Sequence, residues 1–125
     1  MGHTQALEPD DVMTATDQHG QIAHQSLIDH SVRLERTLHE VSDGVWCLVG
    51  NGLSNQTFVT APGGIIAIDT GESIEEMRDA LIELRTVTDA PIVAVIYTHF
   101  HYVSGTQAIL DTEPVEEIWG HARIE

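Results

Sequence analysis

The spacing of hydrophobic positions changes near residue 36. Residues 1–20 are polar, are interrupted by glycine and proline, and show no hydrophobic period, which predicts an extended arm. Residues 21–36 carry an uneven apolar face of the kind found on a short helix. We therefore predict an N-terminal arm with a candidate short helix over residues 1–35 and a folded domain over residues 36–125.

Residues 37–71 alternate between apolar runs of strand length and turn sequences. The stretch TLHEVSDGVWCLVG reads as two strands joined by a Ser-Asp-Gly turn. The stretches NGLSNQTFVT and IIAIDTG add two more strands, and the turn sequence APGG separates them. Four strands joined by short turns predict an antiparallel meander with one buried face.

The hydrophobic period then becomes that of a helix, in SIEEMRDALIELR. Ser73 and Glu76 form a capping-box pattern that marks the start of this helix. An apolar strand from Ile92 to Tyr97 follows and leads into two histidines. A strand, a helix and a strand of these lengths predict a βαβ crossover with a parallel strand pair, so the fold class is α/β. VSGTQAIL and VEEIWG predict one more helix and one more strand.

Composition excludes several classes of function. The chain has 125 residues, of which 42% are hydrophobic, and its formal net charge of −15 comes from 20 acidic residues against 5 arginines. Such a surface repels phosphate backbones, so we expect no nucleic-acid partner. No apolar run has the length of a membrane span, and the N-terminus has no secretory signal pattern, so we expect no membrane partner and a cytoplasmic location.

The clearest chemical feature is the pair His99 and His101, which directly follows the last apolar strand of the βαβ unit. In an extended backbone, residues i and i+2 point to the same side, so both imidazoles can reach one metal ion. The carboxyl end of a parallel strand is also where α/β sheets bind their ligands. The alternative is a pair of hydrogen-bonded histidines at a strand end with no metal.

Two other residues are candidates for the same site. Asp69 ends the strand IIAIDTG, and as an acceptor it could orient a loop that carries metal ligands. The alternative for Asp69 is an ordinary turn residue before Thr-Gly. Tyr102 lies beside the histidines, where it could donate a hydrogen bond to a substrate oxygen. His121 follows the last predicted strand and is interpreted as a surface residue.

In order and pattern, these segments resemble the metallo-β-lactamase superfamily, and most closely its alkylsulfatase-like branch. The stretch EVSDGVWCLVGNGLSNQTFVTAPGGIIAIDTG resembles the opening meander of that family, and SIEEMRDALIELRTVTDAPIVAVIYTH resembles its first helix and the strand before the metal motif. The resemblance implies that the domain is the N-terminal half of an αβ/βα sandwich. It also implies a hydrolase that acts on a sulfate ester or another small ester or lactone.

The chain departs from the family motif, His-x-His-x-Asp-His, at two positions. His99 and His101 match the first two ligands, whereas Val103 and Ser104 stand where the family has aspartate and histidine. Because those two residues serve the second metal site in the family, the resemblance implies a single ion, zinc or else iron or manganese. The family's later ligands have no counterpart in this sequence.

Half of a sandwich leaves one sheet face uncovered, and large exposed apolar faces are rare in stable monomers. We therefore expect a second polypeptide that supplies the other half of the fold and the remaining metal ligands; a second copy of this chain or a cleaved downstream piece are the alternatives. The reading of the chain as a catalytically degenerate structural or regulatory subunit also stays open, because two motif positions are substituted.

Overall fold

The structure is a computed structural model that describes residues 13–124. The chain separates into two compact units, Met1–Glu35 and Arg36–Glu125. The part of the predicted arm over residues 1–12, together with residue 125, lies outside the described residues.

The described part of the first unit consists of short elements. These are strands β1 (Thr14–Thr16) and β2 (Ile22–His24), helix α1 (Gln25–Ser31) and a 3₁₀ turn (Val32–Leu34). The two strands pair antiparallel, which the sequence analysis did not predict because three-residue strands are too short to show a period. Among residues 13–35 no side chain is buried, so these elements form no core of their own.

The second unit is a six-stranded sheet with two helices. Its elements are β3 (Thr37–Ser42), β4 (Val45–Val49), β5 (Gln56–Ala61), β6 (Gly64–Ile68), α2 (Ile74–Leu84), β7 (Ile92–Ile96), a 3₁₀ turn (Phe100–Tyr102), α3 (Thr106–Leu110) and β8 (Glu117–Trp119). The strand order is β3-β4-β5-β6-β7-β8. Strands β3 to β6 are antiparallel, and β6, β7 and β8 are parallel. The predicted meander and βαβ crossover are thus confirmed.

The core contains residues of the sheet and of the two helices. Its fully buried side chains include Phe58, Ile65 and Val95 from the strands and Met77 from α2. Burial of each large apolar side chain contributes roughly 1.5–3 kcal/mol, so this layer supplies most of the stability of the unit. Trp119 is 60% exposed, because β8 is a short edge strand.

The start of α2 differs from the predicted capping box. Ser73 is the N-cap, and its hydroxyl accepts a hydrogen bond from the backbone of Glu76 at 3.0 Å, as predicted. The Glu76 carboxylate does not return to the cap residue. It accepts instead from the backbone N–H of Glu72 at 3.0 Å and from the amide of buried Gln56 at 2.8 Å. The second bond joins the helix to β5, because Gln56 needs a partner once it is buried.

None of the helices within residues 13–124 combines the length and the apolar content needed to cross a membrane.

Candidate functional site

The candidate site lies at the carboxyl edge of the parallel strands. Since β6, β7 and β8 run in the same direction, the residues that follow each strand meet at one edge of the sheet. Asp69 follows β6, and Thr98 and His99 follow β7. The backbone N–H of Tyr97 donates to the carbonyl of Trp119 at 2.8 Å, so the end of β8 is joined to the same edge.

Asp69 is 8% exposed and contacts the residue before the first histidine, not the histidine itself. Its Oδ1 accepts from the backbone N–H of Thr98 at 2.9 Å, and its Oδ2 accepts from the Thr98 hydroxyl at 2.6 Å. Its backbone φ is +58°, a left-handed conformation that aspartate tolerates better than most residues. The carboxylate therefore holds the end of β7 in place, just before His99.

The ring of His99 continues this hydrogen-bonded chain. Its Nδ1 lies 2.8 Å from the Thr98 hydroxyl oxygen. The Thr98 hydroxyl carries one proton, and the Asp69 carboxylate can only accept, so that proton lies toward Asp69. The ring nitrogen is then placed to donate to the threonine oxygen. In a neutral ring that donates from Nδ1, Nε2 keeps a lone pair, the form in which imidazole binds a metal.

His101 comes close to His99, although not through the extended backbone that the sequence analysis assumed. His99 is extended, with φ −163° and ψ 178°, but Phe100–Tyr102 form a 3₁₀ turn. The ring centres of His99 and His101 are 5.2 Å apart, and the ring planes meet at 79°. Two imidazoles on one tetrahedral zinc ion have ring centres about 5 Å apart, given Zn–N bonds of about 2.0–2.1 Å. The separation of the two ring centres is therefore the one expected for two imidazoles on one such ion.

Tyr102 contacts the first histidine through its ring. The ring centres of Tyr102 and His99 are 4.7 Å apart with planes at 86°, an edge-to-face contact. The backbone of Tyr102 is held by Thr70, because the Tyr102 carbonyl accepts from the backbone N–H of Thr70 at 2.9 Å and from the Thr70 hydroxyl at 3.0 Å. Thr70 thus anchors the loop of residues 97–105 between β7 and α3, which we call the histidine loop.

The threonines that hold this loop were not predicted from the sequence. Thr106 lies 3.0 Å from Thr70 and 2.6 Å from Tyr97, measured between hydroxyl oxygens. Gly105 sits so close that an added Cβ would lie 1.8 Å from the Thr70 carbonyl oxygen, so only glycine fits there. The available signal was the presence of hydroxyl residues beside each polar strand end, in Asp-Thr-Gly and Tyr-Thr-His.

No third candidate ligand lies beside the two histidines in the part of the chain that the structure describes. Within residues 13–124 no group of three or more histidine, cysteine or acidic side chains could hold a metal ion. Val103 and Ser104 offer no imidazole or carboxylate, and His121 is exposed, with its Nδ1 accepting from the backbone of Arg123 at 3.2 Å. Among residues 13–124, the candidate metal ligands at this edge are therefore the two histidine rings.

Comparison with known proteins identifies the family. The model of the metallo-beta-lactamase superfamily matches residues 49–122, more than half of the chain. The chain belongs to this superfamily. The matched region runs from the end of β4 through the histidine pair to the residues after β8.

Two curated relatives are linear primary-alkylsulfatases. The one from Pseudomonas sp. (strain ATCC 19151) is 43% identical over 68 residues, which are 53% of this chain and 12% of that protein. The other, from Pseudomonas sp., is 35% identical over 82 residues, which are 63% of this chain and 12% of that protein. The chain thus spans about an eighth of the length of these relatives. The predicted resemblance to the alkylsulfatase-like branch is confirmed.

Solved structures share the fold. The stereoselective inverting sec-alkylsulfatase Pisa1 from Pseudomonas sp. aligns with a TM-score of 0.63 and 23% identity, over 77% of this chain and 19% of that chain. The metallo-beta-lactamase FIM-1 from Pseudomonas aeruginosa, in its mono-zinc form, aligns with a TM-score of 0.57 and 20% identity, over 70% of this chain and 42% of that chain. These matches confirm the α/β fold predicted as the N-terminal half of a metallo-β-lactamase-like sandwich.

Proposed function

We propose that this protein is a subunit of a metal-dependent hydrolase that acts on a sulfate ester of an alkyl alcohol or on another small ester or lactone. The observation that carries the proposal is the His99–His101 pair, whose rings lie at a separation suited to one ion and whose first member makes its hydrogen bond through Nδ1, which leaves Nε2 available to a metal. The alkylsulfatase relatives support the sulfate ester as the substrate class.

In this proposal His99 and His101 hold one ion, with zinc as the first choice and iron or manganese as alternatives. Bound zinc supplies a Lewis acid and an activated water. A single ion fits the side chains present, because Val103 and Ser104 cannot provide the carboxylate and imidazole of a second site. Asp69 holds Thr98 and thereby orients the first ligand.

The remaining ligands come from outside these residues, and we assign them to a second polypeptide that also covers the sheet. Two histidines leave two positions of a tetrahedral ion to be filled, one by protein and one by water or substrate. The chain covers 42% of FIM-1, so the rest of that fold lies outside this sequence. A second copy of this chain and a cleaved downstream piece are outcomes that the experiment below distinguishes.

Tyr102 is proposed to bind the substrate. Its ring lies against His99, and no hydrogen bond occupies its hydroxyl within the described part of the chain. A free phenol beside the metal ligands can donate to a developing oxyanion, the task that a second metal ion performs elsewhere. We expect Tyr102→Phe to lower kcat by about 10²-fold with unchanged metal content; an unchanged kcat would remove Tyr102 from the reaction.

Native mass spectrometry of the protein purified from its own cells, together with metal analysis, tests the proposal. We expect one metal per assembly, and loss of that metal in the double variant His99→Ala/His101→Ala. His30→Ala is the matched control, because His30 is an exposed histidine of the first unit and should leave the metal content unchanged. The mass of the assembly identifies the partner as a different chain, a second copy or a downstream piece.

A second candidate function is a structural or regulatory subunit without catalysis. The observation that favours it is the loss of two motif residues at Val103 and Ser104, together with the absence of a three-ligand group within residues 13–124. An assembly that is intact but free of metal would support this candidate and contradict the hydrolase.

A further inference from the structure

We propose that Thr98 is a positioning residue that fixes the tautomer of His99, so that Nε2 presents a lone pair at the carboxyl edge of the sheet. The chain of hydrogen bonds runs from Asp69 through Thr98 to the ring of His99. The inference deepens the proposed function and rests on it for its purpose, because a fixed tautomer matters when His99 is a metal ligand. The tautomer itself can be measured in protein without metal.

The direction of these hydrogen bonds follows from the single proton that the Thr98 hydroxyl carries. Asp69 Oδ2 and the Thr98 hydroxyl oxygen are 2.6 Å apart, a short contact of the kind made by a hydroxyl and a carboxylate. Thr98 gives its only proton to this contact. Its oxygen then faces His99 Nδ1 at 2.8 Å as an acceptor, which requires a proton on Nδ1.

Thr98 is held by two hydrogen bonds to one carboxylate, which keeps its hydroxyl aligned. Its backbone N–H donates to Asp69 Oδ1 at 2.9 Å, while its hydroxyl donates to Oδ2 of the same carboxylate. Asp69 is itself buried, so its position is set by the sheet and not by solvent. The ring of His99 is also held on its other side by the edge-to-face contact with Tyr102.

His101 provides an internal comparison. It is exposed, and neither of its ring nitrogens has a hydrogen-bond partner among residues 13–124. Its tautomer is therefore left to solvent, whereas that of His99 is set by the protein. One spectrum of one sample can show this difference between two histidines that are two positions apart.

The experiment is long-range ¹H–¹⁵N NMR on the full chain with ¹⁵N-labelled histidine, without metal, in mildly alkaline buffer where imidazoles are neutral. His99 signals are assigned by their loss in His99→Gln. We expect a protonated-type Nδ1 and an unprotonated-type Nε2 for His99, and a solvent-like mixture for His101. Thr98→Ser should keep the His99 pattern, and Thr98→Ala should move it toward the mixture.

Asp69→Asn sharpens the test, since asparagine also tolerates the left-handed backbone at this position. Its side-chain NH₂ would donate to the Thr98 hydroxyl, which then turns its own proton toward His99. We expect the protonated nitrogen of His99 to shift from Nδ1 to Nε2. Amide spectra that match the native protein outside residues 67–72 and 96–104 show that each variant is folded.

A native His99 with its proton on Nε2, or a native pattern retained in folded Thr98→Ala, would overturn the inference. Failure of the proposed function gives a different result, because an assembly that contains no metal can still show the Nδ1–H tautomer of His99. In a metal-loaded assembly we expect Thr98→Ala to weaken metal affinity by about 10- to 100-fold and Thr98→Ser to leave it near the native value, as for other residues that orient a ligand.

Discussion

Strand β7 (Ile92–Ile96) is held by a carboxylate at each end, and the two ends differ in how that charge is balanced. At the amino end, Glu113 accepts from the backbone N–H of Ile92 at 3.0 Å and forms an ion pair with Arg85. At the carboxyl end, Asp69 accepts from the backbone N–H and hydroxyl of Thr98. No arginine forms an ion pair with Asp69 within the described chain.

The difference separates a structural contact from one that directs a functional side chain. The Arg85 guanidinium also donates to the carbonyls of Thr88 and Ala90. The charge of Glu113 therefore stabilises contacts between parts of the fold and reaches no candidate ligand. The charge of Asp69 reaches a ring nitrogen through one hydroxyl. A buried carboxylate without a cation is costly unless hydrogen bonds compensate it, and here they lead toward the candidate metal ligand.

Breaking the amino-end contact should have the largest effect on stability. Glu113→Ala leaves the Ile92 N–H without its acceptor and Arg85 without its counter-ion, and the Glu113 side chain is only 10% exposed. We expect the free energy of unfolding to fall by about 3 kcal/mol, measured by urea denaturation. Glu116→Ala, at an exposed neighbouring glutamate, is the control and should cost under about 0.5 kcal/mol. Equal losses in the two variants would contradict the assigned role of Glu113.

Substitution at the carboxyl end should cost less when hydrogen bonding is preserved. Asp69→Ala removes both acceptors and places alanine at φ +58°, so we expect a loss of about 2 kcal/mol. Asp69→Asn keeps an acceptor for the Thr98 N–H and a residue that tolerates this backbone, so its loss should be about 1 kcal/mol. Urea denaturation of both variants side by side checks the order, and a larger loss for asparagine would show that charge, not hydrogen bonding, holds this end.

A helix cap away from β7 provides the baseline for a single polar contact. Ser73→Ala removes the acceptor of the Glu76 backbone N–H at the start of α2, and we expect a loss of about 1 kcal/mol. Ser104→Ala is the control, because Ser104 is exposed and caps no helix; the N-cap of α3 is Gly105. Thermal melts of the two variants should differ by a few degrees.

The strands and α2 could be predicted because their residues repeat at the periods of a sheet and a helix. The β-hairpin of the first unit was missed, since Thr14–Thr16 and Ile22–His24 are too short to show a period. The exposure of Trp119 could not be predicted, because periodicity does not reveal which strand lies at the sheet edge.

The candidate site was predictable in part. His99 and His101 stood out by their spacing, and their ring centres lie 5.2 Å apart, as two ligands of one ion would require. A 3₁₀ turn, and not an extended backbone, brings the two rings together. The contacts of Thr70, Thr98 and Thr106 were not predictable, because they join residues that are close in space through the parallel pairing of β6 and β7 and far apart in sequence.

The histidine loop is anchored by few of its own side chains. The hydrogen bond to Thr70 is made by the backbone carbonyl of Tyr102, and Gly105 packs closely because it has no side chain. Thr98, in contrast, is held through its own hydroxyl. Side chains at Phe100, Val103 and Ser104 can therefore change without releasing the loop. A backbone of this kind allows a lineage to gain or lose metal ligands one substitution at a time, while the geometry of the ligands that remain is inherited intact.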